Sequence, residues 1–320
     1  MLFVCGTHGH CFDGLASAVT FTHLLRQLRP EAKLTYRACG YGPNQQKPDA
    51  RLLVGEENAI LDYRFYDVPR LTWYFDHHRT AFATPQDEAA FRELQASSPD
   101  RFVFNPEYTS CTKLIADVAS RRFGIALPEL APLVEWADAI DSARFDSPEL
   151  ATDFSNPIMQ LAAVVEHYGD DRYLAKLVPA LLEQPLDLVA RSKLVTAKFK
   201  GLGPRYDRFL KRVRERGHLR GRVVHVDLTE ATVDAVAKFA TYALFPEAVY
   251  SVMVGLMSSA VKISVGYNPW SGADRDVDIS NICSRWGGGG HPVVGGIAFP
   301  RSELERAQAV AAQIADELNH

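Results

Sequence analysis

The chain has 320 residues, 47% of them hydrophobic and 23% charged, with a net charge of −4. This is ordinary for a globular protein, and the length suits about two domains. The acidic balance supplies no global attraction to a long polyanion, so no long duplex nucleic acid is expected as a partner, whereas a short anionic ligand needs only a metal and a few donors. No apolar run is long enough to cross a membrane. Met1-Leu2-Phe3-Val4-Cys5-Gly6 has no basic leader and reads as a core strand, not a signal peptide. Cys5, Cys11, Cys39, Cys111 and Cys283 are odd in number and scattered, which favours reduced thiols and a cytoplasmic location.

In chain order, Met1–Cys5 reads as a strand, Gly6–Gly14 as a polar glycine-punctuated turn, and Leu15–Leu28 as a helix with one apolar stripe. Lys33–Cys39 is a second strand. Gly40–Ala50, with Pro43, Asn44 and Pro48, is a loop; Arg51–Val54 has the look of a short strand, and Ala59–Leu61 is a strand ending at Asp62. Thr72–Phe75 is aromatic and β-branched, a buried strand that runs into Asp76-His77-His78. A loop and an amphipathic helix fill 80–100. Thr109-Ser110-Cys111-Thr112 offers caps for a helix over Lys113–Arg122. Leu130–Ala139 is helical and leads to Asp141, and 157–200 is mainly helical until Gly201-Leu202-Gly203-Pro204 interrupts the pattern. Arg205–Arg216 reads as a basic, solvated helix. Arg222–Asp227 is a strand, Ala231–Phe245 a helix, Tyr250–Gly255 and Ala260–Gly266 paired strands turning at Met257-Ser258-Ser259. Ile279–Trp286 is helical, Ile297–Phe299 a strand and Ser302–Leu318 a closing helix. There is no internal repeat and no low-complexity segment.

Strands alternating with helices point to α/β architecture with a parallel sheet. The expected layout is a larger N-terminal parallel-sheet domain over 1–185, a linker helix region over 186–217 and a smaller α/β domain over 218–320, with the site in the cleft between the domains. In an open α/β sheet, ligands bind where the strands end. Four such places carry metal-competent side chains: His8 with Asp13, Asp62, Asp76-His77-His78, and Asp141. A solvated loop with incidental histidines is the plain alternative for the Asp-His-His run taken alone. Nitrogen and carboxylate oxygen together suit Mn²⁺ and its neighbours. One carboxylate can bridge two cations, and a pair about 3.5–4 Å apart stabilises both oxygens of an in-line phosphoryl displacement.

His8-Gly9-His10-Cys11-Phe12-Asp13-Gly14, Asp62, Asp76-His77-His78, Asp141 and Gly287-Gly288-Gly289-Gly290-His291, in that order, resemble the motif set of the DHH phosphoesterase superfamily with its C-terminal DHH-associated domain. The resemblance implies two Mn²⁺ ions, with Mg²⁺ or Co²⁺ as substitutes, and hydrolysis of a phosphodiester or phosphoanhydride by hydroxide that the two metals activate. It implies that His8 ligates one cation, Asp13 the other, that Asp62 bridges them, and that His77 and Asp141 complete the second. Asp76 and His78 form the catalytic pair, Asp76 fixing a histidine ring and His78 facing the phosphate or leaving oxygen. His291 and the amides of Gly288, Gly289 and Gly290 hold the far phosphate. Cys11 stands where many members carry an aspartate, so Cys11 or His10 is a candidate substitute ligand; both also read as ordinary buried or loop residues. Asp138 is the alternative to Asp141. The arginine often found on the second domain's hairpin is missing near Tyr267, and Asn268 or Lys262 could replace it in binding substrate. The expected reaction is Mn²⁺-dependent cleavage of short oligonucleotides or linear dinucleotides to 5′-mononucleotides. Pyrophosphatase or exopolyphosphatase activity, cyclic-dinucleotide cleavage and a weakly active nucleotide-binding module are the alternatives. A homodimer is compatible with the sequence.

Overall fold

The computed structural model describes residues 1–41 and 45–320; the loop residues Pro43 and Asn44 fall outside these. The chain forms two compact units, Met1–Arg144 with Ser155–Phe199 and Phe145–Phe154 with Lys200–His320. Among the described residues no helix is long and apolar enough to cross a membrane, and the five cysteines are free thiols.

The first unit is built on a five-stranded sheet of order β2-β1-β3-β4-β5, comprising β1 (Leu2–His8), β2 (Lys33–Cys39), β3 (Glu57–Leu61), β4 (Leu71–Asp76) and β5 (Phe102–Phe104). Every pairing is parallel. Sheets of this kind are covered on both faces, so their strands lack polar alternation; Phe3-Val4-Cys5, Ala59-Ile60-Leu61 and Trp73-Tyr74-Phe75 are consecutive buried residues. Helix α1 (Phe12–Leu28) is buried on nearly every side, as expected of a helix packed against α3 (Cys111–Phe123), α4 (Ala131–Asp141) and α6 (Asp171–Glu183) at once. Against the sheet, Phe21 meets Trp73 edge-on at 5.5 Å between ring centroids.

Helix α2 (Pro85–Ser97) starts in a capping box between Thr84 and Asp87, and its single fully buried residue, Phe91, closes an aromatic cluster with Phe65, Tyr74 and Phe82 at 5.1–5.8 Å. Ser110 caps α3, accepting from the Lys113 amide, as the hydroxyl run predicts. Helices α5 (Pro157–Tyr168), α7 (Leu186–Ala190) and the start of α8 (Lys193–Arg216) complete the unit. Arg51–Val54 is a turn and not a strand, its Leu52 and Leu53 amides both bonded to the Asp49 carbonyl. β5 was not anticipated: three residues are too few for periodicity to register.

The second unit carries a six-stranded sheet of order β10-β11-β9-β8-β7-β6, from β6 (Gly217–Arg220), β7 (Val223–Thr232), β8 (Tyr250–Leu256), β9 (Val261–Tyr267), β10 (Gly289–His291) and β11 (Val294–Phe299). It is antiparallel except for β7 with β8. Alternate residues Val261, Ile263 and Val265 face a core shared with Ile279 and Ile282 of α10 (Ile279–Arg285) and Val310 and Ile314 of α11 (Leu304–Glu317). Two expectations change here. Gly201–Pro204 does not break the helix: α8 runs through it, because Leu202, Tyr206, Phe209 and Val213 form a fully buried stripe, whose burial offsets roughly 1 kcal/mol for each of the glycines Gly201 and Gly203 and roughly 3 kcal/mol for Pro204. Ala231–Phe245 is mostly not helical, since β7 continues to Thr232 and only α9 (Ala240–Leu244) remains.

Phe91→Ala empties the centre of the aromatic cluster and is expected to cost about 3–5 kcal/mol, read as a lower denaturant midpoint with an unchanged slope.

Candidate metal centre

Parallel register brings the predicted residues together. Thr7 lies beside Leu61, and Leu61 beside Phe75, so the chain leaves three neighbouring strands at His8, Asp62 and Asp76, all at the carboxyl edge of the sheet. Asp62 takes a left-handed backbone, φ 53°, which its short polar side chain tolerates better than a bulkier one. The turn from β1 to α1 is closely packed. A Cβ on Gly14 would fall 1.9 Å from the His8 carbonyl oxygen, and one on Gly9 2.6 Å from the Ala38 Cβ. Those two glycines let the chain fold back at once, so α1 starts at Phe12 and Asp13 sits in its first turn. Asp13 is buried, and its two oxygens accept from the Cys111 and Thr112 amides at 2.7 and 3.0 Å. It therefore satisfies the first amides of α3 while lying beside the sheet edge.

His77 is the centre of the group. Its Nδ1 lies 3.1 Å from the Tyr108 carbonyl; a carbonyl only accepts, so Nδ1–H donates there and Nε2 is the ring nitrogen that faces the carboxylates. That Nε2 is 3.3 Å from Asp141, 3.6 Å from Asp62 and 3.8 Å from Asp13. His8 Nδ1 approaches the other Asp62 oxygen at 3.5 Å. Both Asp62 oxygens, His77 Nε2 and His8 Nδ1 are buried without a hydrogen-bond partner among the described residues. Three donor sets each converge within 4.8 Å: His8 with Cys11 and Asp62, Asp62 with His77 and His78, and Asp13 with His77 and Asp141. Asp62 belongs to two of them.

The charges are unbalanced in the same direction. Burial, then the charges of Asp62 and Asp141, push the Asp13 carboxyl well above the usual carboxylate range. Burial would also raise Asp62, but the His77 and His8 rings, with His78 behind them, outweigh it and hold Asp62 below that range. Burial lowers His77, yet Asp62, Asp13 and Asp141 carry it up to about 10. The Cys11 thiol is pushed up by burial and then by the three aspartates. Such a site gains from any added positive charge, and buried donors without partners are costly until something meets them. Imidazole nitrogen, carboxylate oxygen and one thiol fit a divalent first-row metal better than a hard all-oxygen ion.

Other candidates are placed elsewhere. Asp138 accepts from Lys113 Nζ at 2.9 Å, from Ser110 at 3.3 Å and from Thr109, so Asp141 and not Asp138 joins the cluster. His10 donates through Nδ1 to the Glu166 carbonyl at 3.1 Å and belongs to no donor set among the described residues. Asp76, expected in the catalytic pair, is fully buried and spent: Oδ1 accepts from the His77 and His78 amides and from His78 Nδ1 at 2.7 Å, and Oδ2 from Tyr74. It turns the chain and sets the His78 ring. Burial lowers His78, but Asp76 and Asp62 bring it up to about 9. The Tyr108 carbonyl and the Cys111 and Thr112 amides escape sequence reading because main-chain groups have no letter code.

In the second unit, Asn268, expected to bind substrate, is occupied by the main chain. It is fully buried, donating to the Ala248 and Pro246 carbonyls at 2.8 and 3.3 Å and accepting from the Trp270 amide at 3.0 Å. It braces the turn after β9. The Gly288 amide is spent on the Cys283 carbonyl at 2.9 Å. A Cβ on Gly288 would meet the Gly296 carbonyl at 2.3 Å, and one on Gly290 the Val294 carbonyl at 2.2 Å, so packing alone demands those glycines. Gly289, Gly290 and His291 form the exposed edge strand β10. Lys262 is exposed on β9, its stem alongside Gly296.

No protein-family model and no curated protein matches the sequence. Solved structures do match the fold. The pGpG-specific phosphodiesterase PggH of Vibrio cholerae superposes with a TM-score of 0.65 at 20% identity, over 98% of each chain. A DHH domain from a member of the s1p family of ribosomal proteins gives 0.57 at 14%, over 99% of this chain and 86% of that one. RecJ of Thermus thermophilus, solved with Mg²⁺ and with Mn²⁺, gives 0.54 and 0.52 at 13%; this chain spans about half of RecJ, 50% and 52% in the two structures. The chain thus has the fold of the DHH phosphoesterases, the family that its motifs resemble.

Proposed function

We propose that the protein is a metal-dependent phosphodiesterase that hydrolyses short oligonucleotides or linear dinucleotides to 5′-mononucleotides, with two Mn²⁺ ions as cofactor. The observation that carries this reading is Asp62, a buried carboxylate with both oxygens unpartnered among the described residues and shared by two donor sets. His8, Cys11 and Asp62 would hold one ion, and Asp13, Asp62, His77 and Asp141 the other. When bound, such ions supply Lewis-acid stabilisation of charge on a phosphoryl group and acidify water. The chain's own residues do the rest. Tyr108 keeps His77 in the tautomer that leaves Nε2 open. Asp76 accepts a hydrogen bond from the Nδ1–H of His78 and, with Asp62, favours the protonated ring; that imidazolium would give its Nε2 proton to the departing oxygen and remain neutral with Nδ1–H still on Asp76. The net charge of −4 disfavours long polyanions, and the fold shared with a pGpG-specific phosphodiesterase over nearly the whole chain supports a short substrate.

The test is turnover by metal-stripped protein resupplied with Mn²⁺, offered a linear ribodinucleotide, a cyclic dinucleotide and inorganic polyphosphate. The linear dinucleotide should be consumed fastest, with mononucleotide released; phosphate release from polyphosphate alone would assign the chain to the polyphosphatases, and no turnover of any of them would end the proposal. Asp62→Asn should lower the dinucleotide rate by more than about a hundredfold. Because a ligand of the folded state alone raises stability, Mn²⁺ should raise the melting temperature of the wild type and not that of Asp62→Asn. His291→Ala should raise KM and leave Mn²⁺ affinity unchanged.

A further inference from the structure

Beside His8 the first unit holds a large aromatic ring in solvent. Tyr41 is 53% exposed, yet it is fixed. It stacks on the fully buried Tyr63, with ring centroids 4.4 Å apart and planes 16° from parallel. Tyr63 is itself tied by its hydroxyl to the Gly40 carbonyl at 2.8 Å. The Tyr41 hydroxyl accepts from the Arg64 amide at 3.2 Å. His8 meets Tyr41 edge-on at 5.8 Å and Tyr63 at 5.9 Å. The Arg64 guanidinium lies over the Tyr41 ring, 5.4 Å from its centroid, and among the described residues it has no carboxylate partner; its Nε donates to the Thr80 carbonyl at 3.3 Å. A fixed, half-exposed aromatic, with a guanidinium over its ring that meets no carboxylate among the described residues, therefore stands next to His8 of the His8–Cys11–Asp62 donor set.

We propose that Tyr41, backed by Tyr63 and flanked by Arg64, is the stacking platform for a nucleobase attached to the phosphate at the His8–Asp62 end of the metal centre. This deepens the phosphodiesterase reading and rests on it. An aromatic face recognises any base by stacking and contributes nothing to an inorganic polyphosphate. The ring loses little ordering entropy because Tyr63 already holds it. The guanidinium offers charge to an anionic substrate and stacks on planar groups. The platform thus selects nucleotides over base-free phosphates without fixing which base.

Calorimetry with Mn²⁺-loaded protein compares guanosine 5′-monophosphate with ribose 5-phosphate, which lacks the base. The wild type should bind the nucleotide roughly tenfold tighter. Tyr41→Ala should bring its affinity down to that of ribose 5-phosphate, whose own affinity stays unchanged; Tyr41→Phe and Tyr41→Trp should keep the preference. With a ribodinucleotide and its singly abasic analogue as substrates, Tyr41→Ala should raise KM about tenfold for whichever base the platform holds, with kcat unchanged. Equal binding of the two ligands by the wild type would overturn the platform while leaving hydrolysis intact. Weakening of both ligands together in Tyr41→Ala would also overturn it, showing that Tyr41 props His8 and touches no base. A base preference that depends on Tyr41 in a protein without hydrolytic activity would keep the platform and remove the phosphodiesterase reading.

Discussion

A carboxylate buried without hydrogen bonds is the constraint around which the first unit is arranged. Asp62 is 1% exposed and neither oxygen has a conventional partner among the described residues. Leaving such a group unsatisfied costs several kcal/mol. Two imidazoles at 3.5–3.6 Å offset that cost in the bare chain; at those distances they are electrostatic neighbours and not hydrogen bonds. The same imidazoles bear nitrogen lone pairs that protons and metals compete for. Folding thus assembles a buried cluster of carboxylates and imidazoles with donor atoms that lack hydrogen-bond partners among the described residues, and the parallel register of three strands is what brings its parts to one edge.

Around that core the supporting groups are main-chain or fully buried. The Tyr108 carbonyl sets one histidine and the Asp76 carboxylate the other, so neighbouring rings in the sequence are fixed in different roles by different partners. Adjacent residues could not otherwise be told apart by their chemistry. Gly9 and Gly14 contribute through what they lack, since a methyl group at either would press on backbone or on Ala38.

Much of this was legible in the sequence because the side chains that end parallel strands are few and chemically distinctive. Residue type and position singled out His8, Asp13, Asp62, His77 and Asp141, and the family resemblance supplied the ligand roles expected of them; the structure brings these five side chains into linked donor sets. The misreadings share a different cause. Local rules placed a break at Gly201–Pro204, a helix at Ala231–Phe245 and a strand at Arg51–Val54, and tertiary packing overrode them. Asn268 looked like a substrate group because its polarity is visible in sequence whereas its burial is not. The glycine run before His291 looked like an anion loop; close packing against β11 and the Cys283 carbonyl explains part of it.

Positions 11 and 13, two residues apart on one turn, carry unequal burdens. Asp13 has to accept two amides of α3 through its two oxygens, whatever else it binds; an asparagine would turn a donor toward one of them. Cys11 precedes α1 and its side chain caps nothing. Replacing residue 11 would therefore break no capping bond, and what its side chain contributes is its place beside His8 and Asp62 in one donor set.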